Sequence, residues 1–166
     1  MPKIRFFEKA DFPSVKQIYQ QGIETGHATF QESAKDWPDW DNSVLPCCRL
    51  LAYKAKHILG RAALSVVSRR KVYSGIAEVS VYVSEQARSK GIGNMLLSHL
   101  VRESENNGFW TLQASIFPEN KASIAIHKKN GFRILAVREK YGQMRGIWRD
   151  VVLMERRSKV VGISND

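Results

Sequence analysis

Residues 88–100 read Arg-Ser-Lys-Gly-Ile-Gly-Asn-Met-Leu-Leu-Ser-His-Leu, with two glycines one residue apart at the mouth of a strongly apolar helix. Glycine weakens a helix interior by about 1 kcal/mol relative to alanine. One use offsets that loss: bare backbone N–H groups at a helix N-terminus make a cradle for phosphate. Upstream, GIAEVSVYVS at 75–84 has the apolar alternation of a strand. Downstream, Ile92, Leu96, Leu97, Leu100 and Val101 fall on one helical face, which stops at Asn106-Asn107-Gly108. Strand, glycine loop and helix together predict a βαβ unit, which brings a second parallel strand into the same sheet.

The rest of the chain supplies the other elements. KIRFFE at 3–8 predicts a strand, and residues 10–23 a helix that buries Val15, Ile18, Tyr19 and Ile23. A polar loop, ETGHATFQES, leads to an acidic, Trp-rich stretch at 34–45, expected to be a second helix interrupted near Pro38. Runs at 49–55, 57–67, 75–84 and 109–117 predict strands, and 120–131 a short helix capped by Asn120 and ended by Gly131. Residues 132–142 and 146–157 close the chain as two strands. The sum is a mixed α/β domain over 1–158 with a short tail at 159–166.

A net charge of +10 on 166 residues points to an anionic partner, either nucleic acid, a phosphate-rich cofactor or an acidic substrate. No nucleic-acid motif accompanies it, and Trp37, Trp40, Trp110 and Trp148 are scattered, not interleaved with basic residues. No run approaches the roughly 20 apolar residues of a membrane span, and the N-terminus lacks a signal-peptide core. The two cysteines, Cys47 and Cys48, are adjacent, so neither a disulfide framework nor a zinc spacing is present. A cytoplasmic protein with no metal is the expectation.

The glycine loop itself excludes two nucleotide motifs. A dinucleotide fingerprint wants a third glycine where Leu96 stands, and a phosphate loop of the Walker type wants Gly-Lys-Ser/Thr. The pattern present, Arg88 and three residues later Gly91-Ile92-Gly93, resembles the acyl-CoA-binding motif of the GNAT superfamily of N-acyltransferases. Asn120, Ser123, Ile126-His127 and Gly131-Phe132 resemble that superfamily's second signature, in the expected order. The segments IETGHATF, VYSGIAEVSVYVSEQARSKGIG, PENKASIAIHKKNGF and YGQMRGIWRDVVLM are similar to its phosphinothricin acetyltransferase branch along nearly the whole chain.

The resemblance implies a GNAT-type fold, a mixed and mostly antiparallel sheet flanked by helices, with acetyl-CoA as cosubstrate. It implies coenzyme contacts from Val81, Tyr82 and Val83 to the pantetheine and acyl carbonyl. Further contacts would come from Arg88, Ser89, Lys90, Gly91, Ile92, Gly93 and Asn94 at the pyrophosphate, with Asn120 and Ser123 across from them. Glu78 matches the proposed general base, and Ala77 and Val79 beside it predict a carboxylate pushed toward base strength by desolvation. His127 stands where many relatives carry a tyrosine that protonates the leaving thiolate, and an imidazole can serve as acid or base. For the acceptor, Glu24, Thr25, Phe30, Tyr73 and Tyr141 match pocket residues. Arg70 matches an arginine suited to an anionic group, with Ser68 where the branch often has a lysine. Trp148 is expected to pack near the site or a dimer contact, since relatives are homodimers.

The expected activity is transfer of acetyl to the amine of a small amino acid or analogue of the phosphinothricin or methionine sulfoximine type, by direct attack. The alternatives are acetylation of peptide N-termini or other amines, a silent acyl-CoA sensor, and a basic nucleic-acid-binding module.

Overall fold

The computed structural model describes residues 1–165. The chain runs through β1 (Lys3–Phe6), α1 (Phe12–Glu24), α2 (Trp37–Ser43), β2 (Leu50–Lys54), β3 (His57–Val66) and β4 (Ile76–Val83). It continues through α3 (Ile92–Asn106), β5 (Thr111–Ile116), α4 (Lys121–Lys129), β6 (Arg133–Met144) and β7 (Ile147–Arg157). Among the described residues the strands form one seven-stranded sheet in the order β1-β2-β3-β4-β5-β7-β6. Every neighbouring pair is antiparallel except β4 and β5, the parallel pair that the glycine loop and α3 connect.

That exception positions the site. β4 pairs with β5 only through Ile76↔Thr111, Ala77↔Leu112 and Glu78↔Gln113. Beyond Glu78 the two strands part, while β4 stays paired with β3 as far as Val83↔Gly60. The sheet therefore opens a wedge at its centre, with Glu78 at the apex.

Two apolar layers clamp the sheet. The stripe on α3 that the periodicity predicts is buried: Leu96, Leu97 and Leu100 are fully enclosed against Ala62, Leu64, Ala77 and Met154. Each such leucine contributes about 1.5–3 kcal/mol through burial. On the opposite face Val15, Trp40 and Val44 from the first two helices pack on Leu51 and Ala63. Tyr19 departs from the expected buried face of α1; half-buried, it meets Tyr82 edge-on at 4.8 Å.

Pro38 does not interrupt α2. It lies in the helix's first turn, where its missing N–H has no helical partner to lose, so it opens the helix instead. Arg145 and Gly146, both at positive φ, make the two-residue turn between β6 and β7. After β7, Arg157 donates to the carbonyls of Val161 and Gly162, and the Ser158 hydroxyl accepts from the amides of Val160 and Val161. Residues 159–162 are thus tied back to the body. Among the described residues no helix is long and apolar enough to cross a membrane.

Candidate active site

Two adjoining cavities occupy the wedge and its mouth. The larger, about 550 Å³, lies between the C-terminal end of β4, the start of α3 and the start of α4. Every residue expected to hold coenzyme lines it except Lys90, which is exposed and donates its Nζ to the carbonyl of Gln86. Ser89 and Gly91 take positive φ of 61° and 80°, which folds residues 88–91 into a concave turn whose amides lead into α3. The two glycines serve different ends. A Cβ on Gly91 would meet nothing within 4 Å, so its requirement is the left-handed conformation. A Cβ on Gly93 would stand 3.2 Å from Ile126 Cδ1, so its requirement is the close approach of α4. Asn130 fastens that contact by donating to Asn94 Oδ1 at 2.8 Å. Across the groove Asn120 caps α4, its side chain accepting from the amide of Ser123.

The second cavity, about 330 Å³, meets the first along Val81, Tyr82, Asn120 and Ser123. Glu78, His127, Phe30 and Tyr141 all line it, drawn from four separate elements of the chain. Strand alternation corrects one expectation about Glu78. Ala77 and Val79 point into the core on the other face of the sheet, so they do not enclose the carboxylate. Glu78 instead looks into the cavity, half-buried, where Gln113 Nε2 and Ser115 Oγ donate to its Oε1 at 3.2 and 3.1 Å. Among the described residues Oε2 has no protein partner.

His127 is 4% exposed, and its burial holds the imidazole below its ordinary value, against the opposing bond to Ser123. Its Nδ1–H donates to the carbonyl of Ser123 at 2.6 Å, since a carbonyl can only accept. In the neutral ring this fixes the lone pair on Nε2. Phe30 packs edge-on against Phe117 at 4.7 Å and over the bare backbone of Gly142, where a Cβ would stand 2.8 Å from its ring. Tyr141 is exposed at the rim beneath the Arg138 guanidinium.

Four residues matched to the acceptor pocket lie elsewhere. Arg70 and Tyr73 sit on the short turn before β4, both exposed and stacked on one another at 5.3 Å, and line neither cavity. That connection carries them away from the wedge into solvent. Glu24 ends α1 fully in solvent, and Thr25 faces the coenzyme groove, its hydroxyl donating to the Gly22 carbonyl. Conversely, Gln113, Ser115 and Arg61 were not among the expected site residues. Their signal was present: polar residues at alternate positions of the apolar run FWTLQASIF, and one arginine inside HILGRAALSVV. Among the described residues no cluster of three His, Cys, Asp or Glu is placed to hold a metal ion.

This arrangement of a parted parallel strand pair, a glycine turn at a helix start and a carboxylate at the apex is shared with acetyltransferases: residues 4–153 match the acetyltransferase (GNAT) domain. The chain belongs to that family, and acetyl-CoA is its cosubstrate. It is 31% identical to the L-methionine sulfoximine/L-methionine sulfone acetyltransferase of Salmonella typhimurium, over 92% of each chain. It is 30% identical to the phosphinothricin N-acetyltransferase of Alcaligenes faecalis, over 92% of this chain and 81% of that one. Its fold superposes with a TM-score of 0.87 on the phosphinothricin acetyltransferase of Sinorhizobium meliloti in complex with acetyl-CoA. That match covers 98% of this chain and 91% of the other at 27% identity.

Proposed function

We propose that this enzyme acetylates the amine of a small amino acid or amino-acid analogue, of the phosphinothricin or methionine sulfoximine type, by direct attack on the thioester. The observation that carries the reading is Glu78, the one carboxylate among the described residues that lines the cavity opening onto the coenzyme groove. In this reading the turn at 88–94 takes the pyrophosphate, with Lys90 at its outer edge, and the parted edge of β4 at Val81, Tyr82 and Val83 takes the pantetheine.

The protons balance as follows. An ammonium acceptor carries three, of which the amide product keeps one. Glu78, through a water, passes one to solvent and leaves a neutral nucleophile. The amine lone pair forms the C–N bond, and the C–S bond breaks as the tetrahedral centre collapses. His127 Nε2, unprotonated in the neutral ring, takes the remaining proton and returns it to the departing thiolate. Phe30 and Tyr141 are the apolar wall and rim for the acceptor side chain.

Two copies associate through the β6–β7 hairpin, where the apolar residues Ile134, Val137, Ile147 and Trp148 are 43–65% exposed. The enzyme works in the cytoplasm on a small-molecule amine, with no specific nucleic-acid partner. Following free thiol release from acetyl-CoA across a panel of amines tests the acceptor. Amino-acid sulfones, sulfoximines and phosphinothricin are expected to outpace a polyamine and a peptide N-terminus. A peptide that outpaces every amino acid overturns the reading.

A further inference from the structure

Arg61 is 4% exposed and lies on β3 opposite Tyr82, on the face of the sheet that carries Glu78 and Ser80. An arginine so deeply enclosed ordinarily has a carboxylate beside it. Here, among the described residues, no carboxylate lies within ion-pair distance of it. Its Nη1 donates to the Ser80 hydroxyl at 2.6 Å, and its Nε is buried with no partner. The ring faces of Tyr82 and Tyr19 lie 4.6 and 5.8 Å from the guanidinium carbon. The Tyr82 ring supplies no negative charge to cancel it, since burial pushes its hydroxyl up to about 12.

The guanidinium lines a third cavity of about 290 Å³, between the first two helices and the sheet. That space adjoins the acceptor cavity along Thr29, Gln31, Glu78, Ser80 and Tyr82. Its charge balance is positive. Lys16 is paired with Asp36 at 2.6 Å, but Lys35, half-buried, faces the same space with no ion pair among the described residues. Glu78 is the one acid that lines it.

We propose that Arg61 is the receptor for the α-carboxylate of the acceptor, which makes it a specificity-determining residue. The inference rests on the reading of the acceptor as an amino acid. Arg61 reaches Ser80, and Glu78 is the next residue on that face of β4, about 7 Å further along the strand. An α-amino acid holds its nitrogen and carboxyl carbon about 2.5 Å apart. A carboxylate on the guanidinium therefore directs the amine toward Glu78 with room for one water between them. The unpartnered N–H groups of Arg61 match the paired oxygens of a carboxylate, which completes the ion pair that the fold leaves half-made. The anion-binding role matched to Arg70 then falls to a residue inside the sheet.

The test compares L-methionine sulfone with its α-carboxamide, which keeps the amine and side chain but removes the negative charge. The wild-type enzyme is expected to prefer the acid by about 10- to 100-fold in kcat/KM, the value of hydrogen bonds to a charged group. In Arg61→Gln that preference collapses through loss on the acid, while kcat/KM for the amide and the Kd for acetyl-CoA stay within about twofold. A preference retained in Arg61→Gln, or an equal loss on acid and amide, overturns the inference while leaving the acceptor class intact. A wild-type enzyme that acetylates neither compound but accepts peptides overturns the acceptor class and the inference with it. Should Arg61→Gln not fold, Arg61→Lys keeps the charge without the fork and is expected to lower the ratio partway; an unchanged ratio there overturns the assignment.

Discussion

The coenzyme groove and the acceptor cavity meet along Val81, Tyr82, Asn120 and Ser123, but the chain builds them by different means. The groove is largely backbone: seven consecutive residues at 88–94 turn through two left-handed positions into a helix start. The cavity is side chain: Glu78 from β4, held by Gln113 of β5, then Ser115 from β5, His127 from α4, Phe30 from a loop and Tyr141 from β6. A backbone site tolerates most substitutions but is sensitive at its glycines. A side-chain site depends on each group and on the register that aims it. On the proposed reading, binding of coenzyme and selection of acceptor are thereby separable in one continuous hollow.

The largest expected effect tests that separation from the cavity side. Glu78→Gln keeps the shape and the bonds from Gln113 and Ser115 but cannot take a proton. At neutral pH kcat should fall by about 10²–10⁴-fold, recovering in part as alkaline pH deprotonates the amine in solution. The Kd for acetyl-CoA should stay put. If that Kd rises in step with the loss of rate, the two regions are one.

Gly91→Val tests it from the groove side. The cost is conformational, not steric, because the added side chain has open space at a φ of 80°. Leaving the left-handed region relieves the valine, and returning to it on binding costs about 1–2 kcal/mol, or about tenfold in the Kd for acetyl-CoA. Gly91→Asn should lose less, since asparagine visits that region more readily. A kcat that falls while coenzyme affinity holds would break the comparison.

The smallest effect concerns stability. Burial lowers the His127 pKa below its ordinary 6.5, so the unfolded chain binds the proton more readily than the folded one. The stabilisation is therefore complete above about 6.5 and is lost as pH falls through the lower folded value. His127→Asn keeps a donor for the Ser123 carbonyl without a titrating ring. Its Tm should decline by a few degrees less than wild type between neutral pH and the acid side of that window. Parallel Tm profiles would remove His127 from the acid response.

The same division explains what the sequence makes legible. The glycine turn of the groove is one contiguous stretch, so its glycines, the strand before it and the stripe Ile92, Leu96, Leu97 and Leu100 can be read without knowing the fold. Glu78 and His127 are likewise readable, one on a strand and one on a capped helix. Gln113 and Ser115 reach Glu78 only because β5 pairs with β4 in parallel at that register, which no local pattern encodes. Arg70 and Tyr73 were misplaced for a related reason: they lie close to Glu78 in sequence, but the turn between them and the strand decides which way they face. Arg61 carried a signal in its isolation among apolar neighbours, and its meaning depends on the absence of a nearby acid, a property of three dimensions.

The brief union of β4 with β5 has a mechanical consequence. Three rungs of strand pairing, with the helix α3 spanning behind them, join the half of the sheet that holds β1 to β4 to the half that holds β5 to β7. This union has the fewest rungs of any strand junction in the sheet, so the apolar core under α3 carries most of its cohesion. With pantetheine seated along the free edge of β4 as proposed, the coenzyme becomes a removable stitch across it. Bound there, it stabilises the folded protein across that junction, and more so as its concentration rises.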